Sequence, residues 1–419
     1  MKSFSTFSFD SYAFDYETLT AKFTYRFDEE FFTETVHFFT PVRAVKTDLN
    51  EAVIDELLSH IHIAMGISYY KLSPTAKIQV PEWRTAEMLN FWHMFYLQGL
   101  GEFMVVNGLH PQNVARFITP HPLSLLPFKT LTTTSRNGSL ALLFFGGGKD
   151  SLVSVELLKQ RKHPFILRSM GDSPLHALAA SKVNAPRIIQ TRQLDPKLFE
   201  MNKSGEWYNG HVPITGILSF ISLLTAYLYG FDEMVLSNEK SANVGNKMLD
   251  GIEINHQRSK SEEFETAFQE YIKKHLNFQP RYYSILRQRD ELRIVEEFCK
   301  YPQYFHHFSS CNRNFHLTGS KLTGRQLRCG ECPKCAFVYT MMRAFLPAET
   351  VDEIFGKKLF ADEALLPLFR ELLGIEGCKP FECVGTEEEM REALKLMTEC
   401  GFKEGEERVA QLLDLFSMT

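Results

Sequence analysis

Residues 139–158 read Ser-Leu-Ala-Leu-Leu-Phe-Phe-Gly-Gly-Gly-Lys-Asp-Ser-Leu-Val-Ser-Val-Glu-Leu-Leu. Ser139 to Phe145 is short and almost wholly apolar, which suits a parallel strand buried on both faces. Gly146, Gly147 and Gly148 follow, and Leu152 to Leu158 then take up helical spacing. Consecutive glycines let the backbone approach an anion and offer it N–H groups, while the following helix presents its positive end. Strand, glycine loop and helix therefore form a phosphate-binding layout. Two familiar versions are excluded. A Walker A loop needs a glycine at position 143 and Ser or Thr at 150, where this chain has Leu143 and Asp150; a dinucleotide fingerprint matches Gly146 and Gly148 but fails at Ser151.

Working outward, the strand-like runs Phe165–Leu167, Arg187–Ile189 and Glu233–Leu236 alternate with helical ones, which predicts an α/β domain with a doubly wound parallel sheet. Ligands of such sheets bind beyond the carboxyl ends of the strands. Ser237-Asn238-Glu239-Lys240-Ser241-Ala242-Asn243 follows the third run and is expected to face the ligand, with Asn238 and Glu239 as candidate contacts. Gly210-His211-Val212-Pro213-Ile214-Thr215-Gly216 opens the next helix, and Glu253 to Glu262, including His256, concentrates polar groups of nearly every type. His211, Glu239 and His256 are the candidate acid or base groups. Val212 to Phe231 has 20 uncharged residues, long enough to span a membrane. Ser, Thr, Tyr, Gly and Pro dilute it, His211 and Asp232-Glu233 flank it, and no Lys/Arg cluster marks an inner end, so a buried helix is expected.

Before the glycine loop, the Phe-rich stretches 4–9, 19–27 and 31–39 read as a small antiparallel sheet, followed by helical spacing over Leu49–Ala64 and Ala86–Asn107. Thr130 to Ser139 is polar and reads as a connector. After Ile254, helices are expected over Ser261–Leu276 and Ser284–Lys300, and amphipathic helix from Ala336 onward. The expected domains are thus 1–135 (α+β, substrate side), 136–300 (glycine loop and parallel sheet) and 301–419 (helical). The last holds Cys311 and, after seventeen intervening residues, Cys329-Gly330-Glu331-Cys332-Pro333-Lys334-Cys335. Four thiolates at this spacing satisfy a structural tetrahedral Zn²⁺ with no open position; an iron–sulfur cluster shares the ligand chemistry. Cys299, Cys378, Cys383 and Cys400 are scattered and read as ordinary core or surface residues.

Composition bounds these readings. A chain of 419 residues holds two or three domains, and 44% hydrophobic with 23% charged residues is globular. Lys+Arg 46 against Asp+Glu 51 leaves a net charge of −5, so no chain-wide basic field exists and no nucleic-acid partner is expected. The start of the chain lacks the apolar run of a secretory signal, and eight cysteines are too sparse for a disulfide scaffold, so a reducing cytoplasm is expected. The 36 phenylalanines, against 3 Trp and 15 Tyr, point to large apolar cores.

The loop Gly146-Gly147-Gly148-Lys149-Asp150-Ser151 resembles the S-G-G-x-D-S loop of the N-type ATP pyrophosphatases, or PP-loop enzymes, with Gly146 in place of the family's first Ser. That resemblance implies a fold of the adenine nucleotide alpha hydrolase type, with the loop on the pyrophosphate of ATP. Lys149 would then supply charge, Ser151 a hydroxyl and Asp150 a carboxylate for Mg²⁺. A four-cysteine site is similar to that of the 7-cyano-7-deazaguanine synthases, which lack a counterpart of residues 1–130 and have a shorter cysteine gap. HIAMGISYYK (62–71), QGLGEF (98–103), FFGGGKDSLVSVELL (144–158), HVPITGI (211–217), LSNEKSANVGN (236–246), NHQRSKSEEFE (255–265), CNRNF (311–315), CGECPKCAFV (329–338) and GCKPFECVGT (377–386) resemble the UDP-N-acetylmuramoyl-L-alanyl-L-glutamate epimerase family nearly end to end. This resemblance implies inversion of the terminal Glu of UDP-MurNAc-L-Ala-L-Glu for peptidoglycan synthesis, with ATP cleaved to AMP and pyrophosphate. Tyr69, Tyr70 and Lys71 are expected to close the site from the first domain. The competing expectations are an ATP-dependent base- or nucleoside-modifying enzyme similar to the deazaguanine synthases, and a non-catalytic nucleotide-binding module.

Overall fold

The computed structural model describes residues 1–80, 85–118, 139–315, 327–377, 379–399 and 411. All of the connector over Thr130–Ser139 except Ser139, with the domain boundary placed at 135, and Cys378 and Cys400 lie outside the described residues.

The Phe-rich start forms an antiparallel meander of β1 (Thr6–Asp15), β2 (Thr20–Phe27) and β3 (Glu30–His37). Strand alternation sends Phe7, Phe23, Tyr25, Phe27 and Phe32 inward, while Phe31 and Phe39 stay exposed, so the phenylalanine excess is not all core. Helix α1 (Glu51–Tyr70), capped by the Asn50 side chain on Ala52 N, packs on this sheet. It runs past the expected end at Ala64 because Met65, Ile67, Tyr69 and Tyr70 continue its buried face. Strand β4 (Lys77–Gln79) follows. The stretch expected as one helix is two, α2 (Ala86–Gly99) and α3 (Gly101–Asn107), broken at Leu100. At the break a Cβ on Gly99 would lie 2.6 Å from Pro213 and one on Gly101 3.2 Å from Ile254, so glycines allow the close approach that places Glu102. Strand β5 is Arg116–Ile118.

The glycine-loop region contributes β6 (Ala141–Phe144), α4 (Lys149–Gln160), β7 (Phe165–Met170), α5 (Pro174–Ala180), β8 (Arg187–Gln193), α6 (Pro196–Ser204), α7 (Ile214–Tyr229) and β9 (Glu233–Leu236). A hairpin, β10 (Lys247–Leu249) and β11 (Ile252–Ile254), leads to α8 (Glu262–His275). The helix expected over Ser284–Lys300 is corrected. Arg281–Ser284 is instead β12, paired parallel to β9, and α9 begins at Glu291 and ends at Phe298. Four residues at a sheet edge are too few to show strand periodicity. Then come α10 (Pro333–Arg343), α11 (Ala348–Phe355), α12 (Leu366–Leu372) and α13 (Glu387–Glu399).

Among the described residues ten strands form one sheet in the order β12-β9-β6-β7-β8-β3-β2-β1-β4-β5. The N-terminal sheet is therefore not separate: β3 joins β8 antiparallel, with Val36 opposite Arg192. The five strands from β12 to β8 are mutually parallel, and counted along the chain from β6 their order is 3-2-1-4-5, a doubly wound arrangement whose switch point lies between β6 and β9. Leu142, Ile166, Ile188 and Met234 face one core with α1, α7 and α8. Leu143, Leu167 and Val235 face the other, with α4, α9 and α10 to α13. Helix α7 is buried on nearly all sides, and no helix among the described residues is long and apolar enough to cross a membrane.

Candidate active site

The switch point brings together the loop after β6 and the segment after β9. Gly148 is the N-cap of α4 and makes no side-chain cap, so the first N–H groups of that helix meet no capping side chain. Gly147 sits at φ 70° with a virtual Cβ 3.2 Å from Ala179 Cβ, whereas a Cβ at Gly146 would meet nothing within 4 Å. Ser151 Oγ donates back to Gly148 O at 2.9 Å, and Gly147 O accepts from Ser309 N at 3.2 Å, which seats the loop on the segment leading to Cys311.

Lys149 turns inward. It is fully buried, ion-paired with Asp150 at 2.5 Å and with the equally buried Glu291. The other Glu291 oxygen accepts from Lys334 Nζ at 2.8 Å. Burial alone would raise Glu291, but Lys149 and Lys334 outweigh it and hold the carboxyl below its ordinary range; burial likewise lowers Lys149 less than Asp150 and Glu291 raise it. Glu389 on α13 closes the network, accepting from Glu291 N at 2.5 Å and Ser241 Oγ at 2.8 Å. Asn238 and Glu239 are buried beside it. Burial, then the Glu291 carboxylate, pushes Glu239 up, with Lys260 opposing.

Lys334 lies between two of the four cysteines. Cys311, Cys329, Cys332 and Cys335 are buried with their sulfurs within 4.8 Å of one another, Cys311 to Cys332 at 4.0 Å and Cys329 to Cys335 at 3.8 Å. Tetrahedral coordination at about 2.3 Å per sulfur requires sulfurs about 3.8 Å apart, so this donor set fits a metal ion with a closed shell. Cys332 caps α10, which carries Lys334 on its first turn.

A second cluster lines a cavity of about 760 Å³ bounded by Lys71, Glu102, Arg192, His211, His256 and Glu382, among others. Glu102 Oε2 pairs with His256 Nδ1 and lies 3.5 Å from His211 Nδ1; the two imidazole centroids are 4.5 Å apart. Burial, reinforced by the charge on His256, lowers His211 to about 4. Burial also disfavours charge on His256, but Cys383 and Glu102 outweigh it and raise the group to about 9. Arg192 is held by Glu34 at 2.8 and 3.2 Å, a bidentate pair that stitches β8 to β3 beside the cavity.

The structure thus groups the sequence candidates into two sets. His211 and His256 share the cavity, while Glu239 stands with Asp150, Lys149 and Glu291. Lys260 bridges them, its charge acting on both Glu239 and Cys383. Lys71 lines the cavity, but Tyr69 and Tyr70 are core residues. Cys299 is half-buried against the second core, as expected. Cys383 requires correction: it is no ordinary thiol, because its Sγ lies 3.1 Å from Lys260 Nζ and 3.7 Å from His256 Nε2. Sequence reading also missed Glu102, Lys260, Glu291, Lys334 and Glu389. Glu102, Lys260, Lys334 and Cys383 lie in segments already singled out (98–103, 255–265, 329–338, 377–386), so charged residues inside those segments were the available signal. Glu291 and Glu389 sit in ordinary amphipathic helices and carried none.

The family model of the MurL N-terminal domain matches residues 1–285 and that of the MurL C-terminal domain matches residues 307–417. A UDP-N-acetyl-alpha-D-muramoyl-L-alanyl-L-glutamate epimerase of Xanthomonas oryzae pv. oryzae is 37% identical over 94% of this chain and 86% of its own length. Proteins of the same name from Salinispora tropica and a Micromonospora species are each 34% identical over 95% of the chain and 86% and 88% of their own lengths. With both domains matched, over spans that contain the glycine loop, the paired histidines and the four cysteines, the chain belongs to the MurL family of UDP-N-acetylmuramoyl-L-alanyl-L-glutamate epimerases.

Proposed function

We propose that this protein inverts the terminal L-Glu of UDP-MurNAc-L-Ala-L-Glu to D-Glu in the cytoplasm, for peptidoglycan precursor synthesis. The observation that carries the reading is similarity over 94–95% of the chain to proteins bearing that name. The chemistry fits the site. A carboxylate makes the neighbouring Cα–H a very poor acid, and adenylation removes that negative charge before a side chain takes the proton. The loop Gly146 to Ser151, at the switch point of a 3-2-1-4-5 sheet, supports the PP-loop reading: its N–H groups and the start of α4 would hold the phosphates of ATP, with AMP and pyrophosphate released. Lys149, already matched by Glu291, would orient Asp150, and Asp150 with Asn238 would take Mg²⁺, which neutralises phosphate charge. Lys71, Lys203 and Arg192 give the cavity a cationic lining suited to a substrate bearing phosphates and carboxylates. His211, His256 and Glu239 supply titratable side chains around this chemistry. The cysteine set would hold Zn²⁺ as a structural ion, closed to substrate.

Incubation of the protein with ATP, Mg²⁺ and UDP-MurNAc-L-Ala-L-Glu in D₂O, followed by chiral analysis of the Glu, tests this. D-Glu with deuterium at Cα is expected, alongside AMP. Active ATP cleavage with neither product would refute the assignment.

A further inference from the structure

Cys383 sits where the two halves of the site meet. Its neighbours in sequence, Phe381 and Glu382, line the 760 Å³ cavity, and so does His256, whose Nε2 is 3.7 Å from the sulfur. Lys260 Nζ is 3.1 Å away on the other side, and Lys260 Nζ also reaches Gln257 Oε1 at 3.3 Å, which keeps it in place. The residue is half-buried, one position beyond the cavity-lining Glu382. Two positive groups flank one small polarisable atom that has no structural partner of its own kind among the described residues.

Resting on the epimerase reading, we propose that Cys383 is the base that removes the Cα proton of the activated L-Glu, held as a thiolate by His256 and Lys260, which act as positioning residues. His256 itself is a poor choice for the base. Glu102 and Cys383 keep it protonated up to about 9, and an imidazolium has no lone pair to accept with. Burial pushes the Cys383 thiol up, yet Lys260 and His256 outweigh burial and bring it down to about 5, so at neutral pH the acceptor site is open. The other charged groups acting on the sulfur's surroundings are Glu382 on the same segment and Lys334 on α10.

The proton balance closes. The thiolate takes the proton from Cα, giving Cys383–SH, and the C–H electron pair remains on the substrate as the enolate of the activated carboxyl. A cavity water delivers a proton to the opposite face of Cα and becomes hydroxide. The thiol then returns its proton to that hydroxide, restoring thiolate and water. No electron is gained or lost.

The test uses the full chain with ATP, Mg²⁺ and UDP-MurNAc-L-Ala-L-Glu in D₂O, comparing wild type with Cys383→Ala and Cys383→Ser. The readout is D-Glu formed, and deuterium at Cα, per AMP released. That ratio is expected to fall on the order of 10²- to 10⁴-fold in both variants, since a serine hydroxyl stays protonated. A second readout does not need turnover: iodoacetamide labelling of Cys383, mapped by mass spectrometry, should show a pH midpoint well below that of an ordinary thiol and should be slowed by the substrate. Cys383→Ala with a wild-type ratio, or labelling with an ordinary thiol midpoint, removes the thiolate base and leaves the epimerase reading standing. A wild type that releases AMP but forms no D-Glu removes both. A hydroxylamine-sensitive adduct of substrate mass on Cys383 would make it an acyl carrier and overturn its role as base.

Discussion

Lys334 Nζ, one residue before Cys335 of the four-cysteine cluster, donates to Glu291 Oε1 at 2.8 Å, and the other oxygen of that carboxylate takes Lys149 at the start of the glycine-loop helix. The four-cysteine site and the loop are thus two ends of one buried ion network. Removing the metal is expected to release the start of α10, and Lys334 with it. Chelation should therefore abolish pyrophosphate release as well as lower the melting temperature, with a stability loss on the order of 5 kcal/mol or more. Metal analysis should give one zinc per chain, lost in step with both properties; ATP cleavage that survives complete zinc removal would uncouple the two sites.

Glu291 carries two ammonium groups with no solvent to replace it. Glu291→Gln should cost about 3–5 kcal/mol, because it leaves buried charge unpaired. Urea unfolding measures this, and a loss below about 1 kcal/mol would show that Lys149 and Lys334 find other partners.

Adjacent loop glycines should respond differently. Gly147→Ala places a side chain at φ 70°, with its Cβ 3.2 Å from Ala179, and is expected to destabilise by about 1–2 kcal/mol and impair AMP formation. Gly146→Ser enters open space and should leave stability within about 0.5 kcal/mol of wild type. Thermal unfolding of the two variants side by side checks the contrast.

Asp150 lies at the loop with part of its side chain exposed, and only Lys149 pairs with it among the described ion pairs. Asp150→Ala is expected to keep the fold, by circular dichroism, while eliminating AMP release. Normal AMP release from that variant would remove the loop from the chemistry.

His211 links stability to pH. Burial and the charge on His256 lower it to about 4 in the folded state, against about 6.5 when unfolded. Between those values the unfolded chain binds more protons, so the stabilisation is complete above about 6.5 and is lost as pH falls towards 4, by an amount on the order of 1–3 kcal/mol. His211→Gln should flatten that acid limb in denaturant titrations at pH 4.5 and 7. Parallel limbs in the two proteins would show that other groups govern acid unfolding.

What the sequence determined by itself was local. The strand–glycine–helix unit at 139–158, the apolar helix after Pro213 and the cysteine spacing at 329–335 each rest on periodicity, backbone freedom or short-range ligand geometry, and each stands in the structure as read. Tertiary structure decided everything that needed residues far apart to meet. Cys383 and His256 are separated by 127 positions, and Lys149 and Glu291 by 142. The edge strand Arg281–Ser284 pairs with β9, and the N-terminal sheet joins the parallel one along β3 and β8, where Val36 lies opposite Arg192 and the Arg192 guanidinium reaches Glu34. Such juxtapositions follow from how two cores close on the faces of one sheet. Packing on that scale leaves no repeat in the sequence, so a cysteine that reads as ordinary alone becomes, beside Lys260 and His256, the most unusual thiol among the described residues outside the four-cysteine cluster.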